Sequence, residues 1–449
     1  MKPRSLIGPL LLILIGALFL LHNIRPDLVS FEAPARYWPY ILIVWGAIRL
    51  FEIVAWWMMN KPVPRSGVSG GEWALVILIC LVGAGLSAAH RFGPRLPPMI
   101  FRGQSVELFG EAYDFPMAES KTVSGVKRLI IENLRGNTRI VGADVAEIKA
   151  TGRKTIRAYD KAAADEANRQ TPLEIVVRGE EVVVRSNQEK MSGERVVSSD
   201  LELTVPHSIN IRATGHYGDF DVMNINGSVE IESGNAGVRL QDITGKVRVD
   251  LRRSDIIRVI NMKGEVDILG RGRDVELERI DGKVVINGYY SGDLTCRDLK
   301  KSFDLQSGGT ELSFERLPGQ LHMNLGDFSA ANVVGPFRLV AKNRDVRLDD
   351  FTEAVALTID RGDVELRPNR GPIAGIEVST RSGNVELALP GSAKFDLAAT
   401  AKMGEVTNEY GEPLDVTTEG RGSMIKGAVG GGPKITIETD RGSITVRKE

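Results

Sequence analysis

The sequence predicts a membrane-anchored all-β protein, with N-terminal transmembrane α-helices followed by a β-solenoid repeat domain. Three observations carry this. Motifs of apolar residue, spacer, glycine, spacer and valine recur at Ile243-Thr-Gly245-Lys-Val247, Met262-Lys-Gly264-Glu-Val266 and Ile280-Asp-Gly282-Lys-Val284. Their glycines, counted from Gly227, step by 18, 19 and 18 residues, while a second apolar file at Val238, Ile257, Val275 and Leu294 steps by 19, 18 and 19. Three apolar stretches lie within residues 1–92, spanning about 5–21, 39–59 and 73–89, each close to or beyond the length that crosses a bilayer.

The membrane region comes first. Trp38, Trp56, Trp57 and Trp73 fall near span ends, where amphipathic rings anchor at the interface. Gly8, Gly16, Gly83 and Gly85 let helices approach closely. Lys2 and Arg4 also suit the start of a signal peptide, but the small-x-small sequence Ala33-Pro-Ala35 is too distant for cleavage, so a retained helix is expected. Arg49 and Glu52 sit near the middle of the second span, three apart on one helix face, and form a candidate intramembrane pair. Four basic residues flank the spans on one side and five on the other, which decides no orientation. Three spans with an inside N-terminus place the large domain on the extracytoplasmic side.

Residues 93–122 contain Pro94, Pro97, Pro98 and Pro116 and read as a Pro/Gly-rich linker. Residues 123–206 read as an N-terminal β cap, with alternating segments at Leu129–Ile131, Thr138–Val141 and Glu147–Thr151. The cap includes one short alanine-rich helix over Ala158–Gln170. Coils of the solenoid occupy 207–368, where Val247/Val249, Val266/Ile268 and Val284/Ile286 alternate as one-face-buried strands must. The repeat loosens after residue 300, with Leu317-Pro-Gly319-Gln-Leu321 keeping the motif. Residues 369–449 read as irregular coils and a C-terminal cap.

Charge and composition narrow the chemistry. Residues 1–102 carry ten Lys/Arg and four Asp/Glu, leaving 47 basic and 54 acidic residues beyond, a balance of −7 for the soluble part. That argues against nucleic acid, which needs a basic face. Two cysteines, Cys80 and Cys296, exclude a disulfide framework and a cysteine zinc site. His207 and His216 lack a third ligand at a suitable place, and no nucleophile elbow, phosphate loop or dinucleotide fingerprint is present. No cofactor is expected. Asp219, Asp221 and Asp242, with Asp349 and Asp350, are the carboxylates that a glycan-cleaving solenoid would use, although sequence spacing does not bring them together. Arg361-Gly362-Asp363 matches an integrin-binding tripeptide but sits where the chain needs a turn. Arg252, Arg253, Arg271 and Arg273 cluster at two successive corners. They form either a basic stripe for anionic glycans or lipids, or a solvated corner paired with local acids.

Two resemblances add to this reading. SLIGPLLLILIGALFLLHN followed by YWPYILIVWGAIRLFE resembles the bacterial LiaI-LiaF-like transmembrane region, over about the first 55 residues. VKRLIIENLRGNTRIVG, GSVEIESGNAGVRLQDITGKVRV, RGDVELRP and RSGNVELALP are similar to the bacterial "putative adhesin" domain of unknown function, over most of residues 123–447. The second resemblance implies a β-solenoid-like repeat domain with no catalytic motif. The first implies kinship with proteins that modulate envelope-stress sensor kinases.

The expectation is therefore a non-enzymatic, multi-pass protein of the bacterial cell membrane that presents an adhesin-like surface for binding or scaffolding. Its partners are the lipid bilayer and a cell-wall glycan, another envelope protein or a second copy of itself. The alternative is an envelope-stress regulator acting on a sensor kinase through its membrane helices, and a third class is a glycan-cleaving enzyme.

Overall fold

The structure, a computed structural model, describes residues 100–101, 104–105, 111–158, 160–191, 196–368 and 374–449. The three apolar stretches, with Arg49 and Glu52, lie outside the described residues. Among the described residues no helix is long and apolar enough to cross a membrane. The described residues fall into two compact units. One comprises Phe115–Lys154, Gln170–Lys190 and Val197–Glu449 and holds the ladders described below; the other includes Thr155–Arg169 and Met191–Val196.

Alternation of apolar and polar residues builds two files of parallel strands in the larger unit. On the first face, Arg128–Arg135, Asn210–Tyr217 and Val229–Asn235 pair in parallel. The file continues through the N-terminal halves of Val247–Lys263 and Val266–Ile280 to Val284–Tyr290 and Phe303–Ser307. On the second face, Thr138–Ala143, Phe220–Ile225 and Val238–Thr244 lead through the other halves of the same long strands to Leu294–Leu299. One coil of 18 or 19 residues therefore supplies one strand to each face.

The register is the one the spacing requires. Val229, Val247, Val266 and Val284 stand opposite one another in a single file. Val238, Ile257, Val275 and Leu294 form the matching file on the second face. All eight are buried. Each such aliphatic side chain contributes roughly 1.5–3 kcal/mol relative to exposure. Cys296 occupies a file between Leu277 and Leu321, and burial pushes its thiol pKa up. It is a packing residue, consistent with its neighbours.

After Ser307 the direction of the chain changes. Gly308 and Gly309, with φ of 57° and 83°, form a two-residue hairpin that demands positive φ at both positions. The hairpin sends Thr310–Phe314 back antiparallel to Phe303–Ser307. Leu317–Met323 then runs antiparallel to Leu294–Leu299 on the second face. A further turn, in which Asn324 Oδ1 accepts from the Gly326 and Asp327 amides at 2.8 and 2.7 Å, restores the forward direction in Asp327–Val333. Leu317-Pro-Gly319-Gln-Leu321, expected as a forward coil motif, instead lies inside a reversed strand. Hydrophobic content is the same in either direction, so the motif carries no sign. Phe303, Phe314 and Phe337 stack through this region, with centroids 4.8 and 6.4 Å apart and planes within 6°. The bulkier rings fill the space that the valine file fills elsewhere.

Both ends of the ladders depart from sequence order. Arg128–Arg135 lies between Glu181–Arg185 and Asn210–Tyr217, and Thr138–Ala143 lies between Val196–Pro206 and Phe220–Ile225. The expected cap over 123–206 thus contributes two coils in register with the rest. The expected linker over 93–122 also changes, because Glu111–Thr122 is a strand. Its signal was the alternation of Tyr113, Phe115 and Met117, which the prolines obscured; a strand tolerates proline at an edge or bulge. The helix begins at Lys161, later than expected. Asp160 caps it, its Oδ1 accepting from the Ala163 amide at 2.6 Å.

At the C-terminal end, Lys434–Arg441 is inserted between Ile376–Ser382 and Phe395–Met403. Ile444–Lys448 is inserted between Val385–Leu389 and Val406–Glu409. On the first face the file closes with the antiparallel strands Gly422–Val429 and Asp415–Glu419. The last of these is exposed along its length and reads DVTTE, a polar edge that resists pairing with other chains.

Lys154 is 1% exposed and its Nζ donates to the Thr171 carbonyl. Burial pushes its pKa down to about 8, from the ordinary lysine value near 10.5. Below pH 8 the folded state holds a charge that the interior disfavours. As pH rises from 8 towards 10.5 the folded state sheds this proton before the unfolded chain does, so stability rises. Lys154 is expected to contribute an increase of about 3 kcal/mol across that window. Denaturant unfolding of wild type and Lys154→Met at pH 7.5 and pH 10.5 measures it. An equal pH response in the two proteins would remove Lys154 as its source.

Candidate functional site

The coils bring successive outward side chains into files about 4.8 Å apart. Two corners of each coil gather polar groups. At the corner that returns from the second face to the first, Asn224, Asp242, Asn261, Arg279 and Asp298 each have φ between 50° and 59°. Asn and Asp tolerate this left-handed conformation better than most residues. Asn261 Nδ2 donates to Asp242 Oδ1 at 2.9 Å, and Arg279 Nε donates to Asn261 Oδ1 at 2.5 Å. The file lines an open groove of about 540 Å³. Asp242, Asn261 and Arg279 bond to one another along it, which makes this stretch of the corner a structural ladder.

The carboxylates considered for glycan cleavage are dispersed. Asp219 and Asp221 share an open groove of about 650 Å³ with Arg139 and Arg239. Asp219 accepts from the Gly237 amide at 2.8 Å, and Asp221 lies 3.8 Å from Arg139. Asp242 is at the other corner, and Asp349 pairs with Arg347 at 2.9 Å. His207 and His216 are likewise apart: His207 Nδ1 lies 2.8 Å from the Asn224 carbonyl, whereas the His216 ring meets Tyr217 edge-on at 4.7 Å. Among the described residues no three His, Cys, Asp or Glu side chains are grouped to hold a metal ion.

Arg361-Gly362-Asp363 forms a corner between Val355–Arg361 and Val364–Arg367. The Asp363 carboxylate accepts from the Asn384 amide at 2.7 Å, as the Asp345 carboxylate accepts from the Asp363 amide at 2.9 Å. Asn384 repeats the contact with the Ser443 amide at 2.9 Å. One Asp363 oxygen is thus committed to holding the next coil.

Arg252, Arg253, Arg271 and Arg273 behave differently. They lie in the middle of the two long strands, where the register slips between Leu251 and Ser254. This bulge turns both Arg252 and Arg253 outward. All four are exposed. Elsewhere basic side chains reach an acid on a neighbouring coil: Arg248 to Asp267 at 2.8 Å, Arg258 to Glu276 at 2.6 Å, Lys283 to Asp304 at 2.8 Å. Each such exposed pair adds at most about 1 kcal/mol, but it cancels charge. Among the described residues the four corner arginines make no ion pair, so the expected pairing with local acids is not what their geometry gives.

The same corner holds residues that no repeated residue type in the sequence marks. Register aligns Arg135, Tyr217, Asn235 and Arg253 on adjacent strands, and Arg271 with Tyr289. Tyr217 is 39% exposed and Tyr289 54%. The Arg135 guanidinium lies 5.3 Å from the centre of the Tyr217 ring. The signal was present, because positions 217, 235, 253, 271 and 289 step by 18. It was hidden because the file mixes residue types instead of repeating one.

A family model described as Toastrack DUF4097 matches residues 147–447. A second, described as the LiaI-LiaF-like transmembrane region, matches residues 6–50. A crystal structure described as "a putative cell adhesion protein" from Clostridium sporogenes is similar at 11% identity, covering 75% of this chain and 100% of its own, with a TM-score of 0.17. No curated protein matches.

Proposed function

We propose, because this chain belongs to the Toastrack DUF4097 family and carries a LiaI-LiaF-like transmembrane region, that it is a non-enzymatic protein of the bacterial envelope that presents its β domain for binding or scaffolding. The N-terminal region anchors it to a membrane. In this reading the coils make a β-solenoid, three helices cross the bilayer and the domain faces the extracytoplasmic side. The observation that supports it most is the parallel register, which repeats outward side chains at a fixed interval over many coils. A surface of that kind suits a partner with its own repeat, such as a cell-wall glycan or a second copy. The polar groups, by contrast, are dispersed between corners and committed to neighbouring coils.

The full chain in neutral-lipid nanodiscs should sediment with isolated, protein-stripped envelope fragments of its own cell. Nanodiscs holding a chain truncated after residue 122 should stay in the supernatant. If both remain in the supernatant, presentation to the envelope is the wrong reading. A regulator acting through membrane helices is the second reading, favoured by the match over residues 6–50. It predicts that Arg49→Leu with Glu52→Leu alters envelope-stress signalling while the β domain stays intact.

A further inference from the structure

We propose that the arginine–tyrosine file on the corner leaving the first face is a binding site for a linear anionic glycan lying across the coils. The inference rests on the reading that the β domain presents a binding surface, and it names the surface and the chemistry.

The file runs in register from Arg135 through Tyr217 and Asn235 to Arg253, and beyond the register slip at Leu251/Ser254 it continues with Arg271 and Tyr289. It covers six adjacent strands, or about 24 Å at the strand spacing. Arg252 and Arg273 widen it at the centre. Exposed guanidiniums without acid partners keep their full charge and their donor forks, which match carboxylate or phosphate oxygens two at a time. Unpaired guanidiniums on adjacent coils also repel one another. That arrangement raises the local potential and favours an incoming anion.

The aromatic residues give the site its second element. Tyr217 and Tyr289 flank Arg253 and Arg271, each partly exposed and each with a polar tip. Such rings stack on the apolar face of a sugar. Tyr290, on the same strand, lies against Gly272, whose absent side chain leaves room for the ring; a Cβ there would be 3.0 Å from it. The chain between Arg271 and Arg273 is thereby braced from one side. Charges at the centre flanked by rings, with Arg135 over one of the rings, fit a polymer of charged sugars better than a single small anion.

The shape selects among polyanions. The file is one or two side chains wide, whereas residues 103–449 carry a net charge of −7. A planar anionic membrane would meet the surrounding acidic surface as well as the file. A single extended polymer meets the file alone.

The test uses the full chain in neutral-lipid nanodiscs with polygalacturonate as probe, neutral dextran as control and phosphatidylglycerol vesicles as the competing surface. Wild type should bind polygalacturonate, lose affinity as salt is raised, and ignore dextran. Arg253→Gln with Arg271→Gln should weaken binding about tenfold or more. Adding Arg252→Gln and Arg273→Gln should weaken it further. Tyr217→Ala with Tyr289→Ala should weaken binding while leaving the salt dependence unchanged. Because the arginines are exposed and unpaired, their variants should unfold at or slightly above the wild-type temperature. Equal binding by wild type and the arginine variants would overturn the proposal. So would binding to the vesicles without binding to the polymer. Wild type that sediments with envelope fragments yet ignores polygalacturonate removes this site alone; wild type that does neither removes the presentation reading too.

Discussion

Replacing Gly264 by alanine is expected to destabilise the β domain by about 3 kcal/mol or more. Gly264 has φ of 151°, a backbone region that residues with a Cβ avoid. An added Cβ would lie 2.0 Å from the Gly245 carbonyl oxygen. That oxygen belongs to the backbone of the preceding coil, so no rotamer change relieves the clash. The same contact repeats along the corner: Gly245 sits over Gly227, and Gly282 sits over Gly264 with a virtual Cβ only 1.7 Å from its oxygen. Coils could separate only by lengthening the hydrogen bonds that hold Val247 and Val266 in register. A control isolates the steric part. Gly420 also has positive φ, at 64°, but nothing lies within 4 Å of its virtual Cβ. Gly420→Ala should cost only about 1 kcal/mol. Denaturant unfolding of the two variants decides the matter, and equal losses would mean that close coil contact at the corner is not what these glycines provide.

The stacked valines and corner glycines were legible because each coil repeats in 18 or 19 residues and each repeats the same inward residue type. The reversed segment was less legible. Leu317 and Leu321 satisfy an inward-facing pattern in either chain direction, and only Gly308-Gly309 between alternating segments signalled the hairpin. The arginine cluster was found, but its lack of partners was not foreseeable. Asp250, Asp255 and Asp274 are close in sequence, and only the bulge at Leu251/Ser254 sets where Arg252 and Arg253 point. Arg135 was further from view, since the coil that carries it is separated from Tyr217 by the excursion through residues 144–209. Neighbours set by the order of coils in space leave no local trace in composition or periodicity.

That out-of-sequence order has a consequence for truncation. In a repeat stack built in chain order, removing the last coil costs that coil and one interface. Removing residues 433–449 from this chain would instead extract an internal coil. Ile435 and Ile437 stand between Ile376/Val378 and Leu397/Ala399, and Ile444 stands between Val385 and Val406. All of these side chains are buried. Their loss would strip apolar neighbours from both flanking coils and leave two parallel edges unpaired. The corner contacts would go as well, because Gly442 packs on the Gly383 carbonyl and Gly404 on the Gly442 carbonyl. Residues 395–429 would then be joined to the domain by chain connectivity without the coil that seats them. Limited proteolysis with mass analysis should therefore show cleavage throughout 395–429 at least about tenfold faster than in the intact chain, while Ile376–Leu389 stays protected as the new edge. If 395–429 remained as protected as before, the segment would have docked directly on Ile376–Ser382, and the inserted coil would be dispensable to the closure of this end. The two ends of the ladders are built alike, so an N-terminal variant lacking residues 123–143 should expose Glu181–Pro206 in the same manner, and agreement between the two would tie end stability to the swapped coil itself.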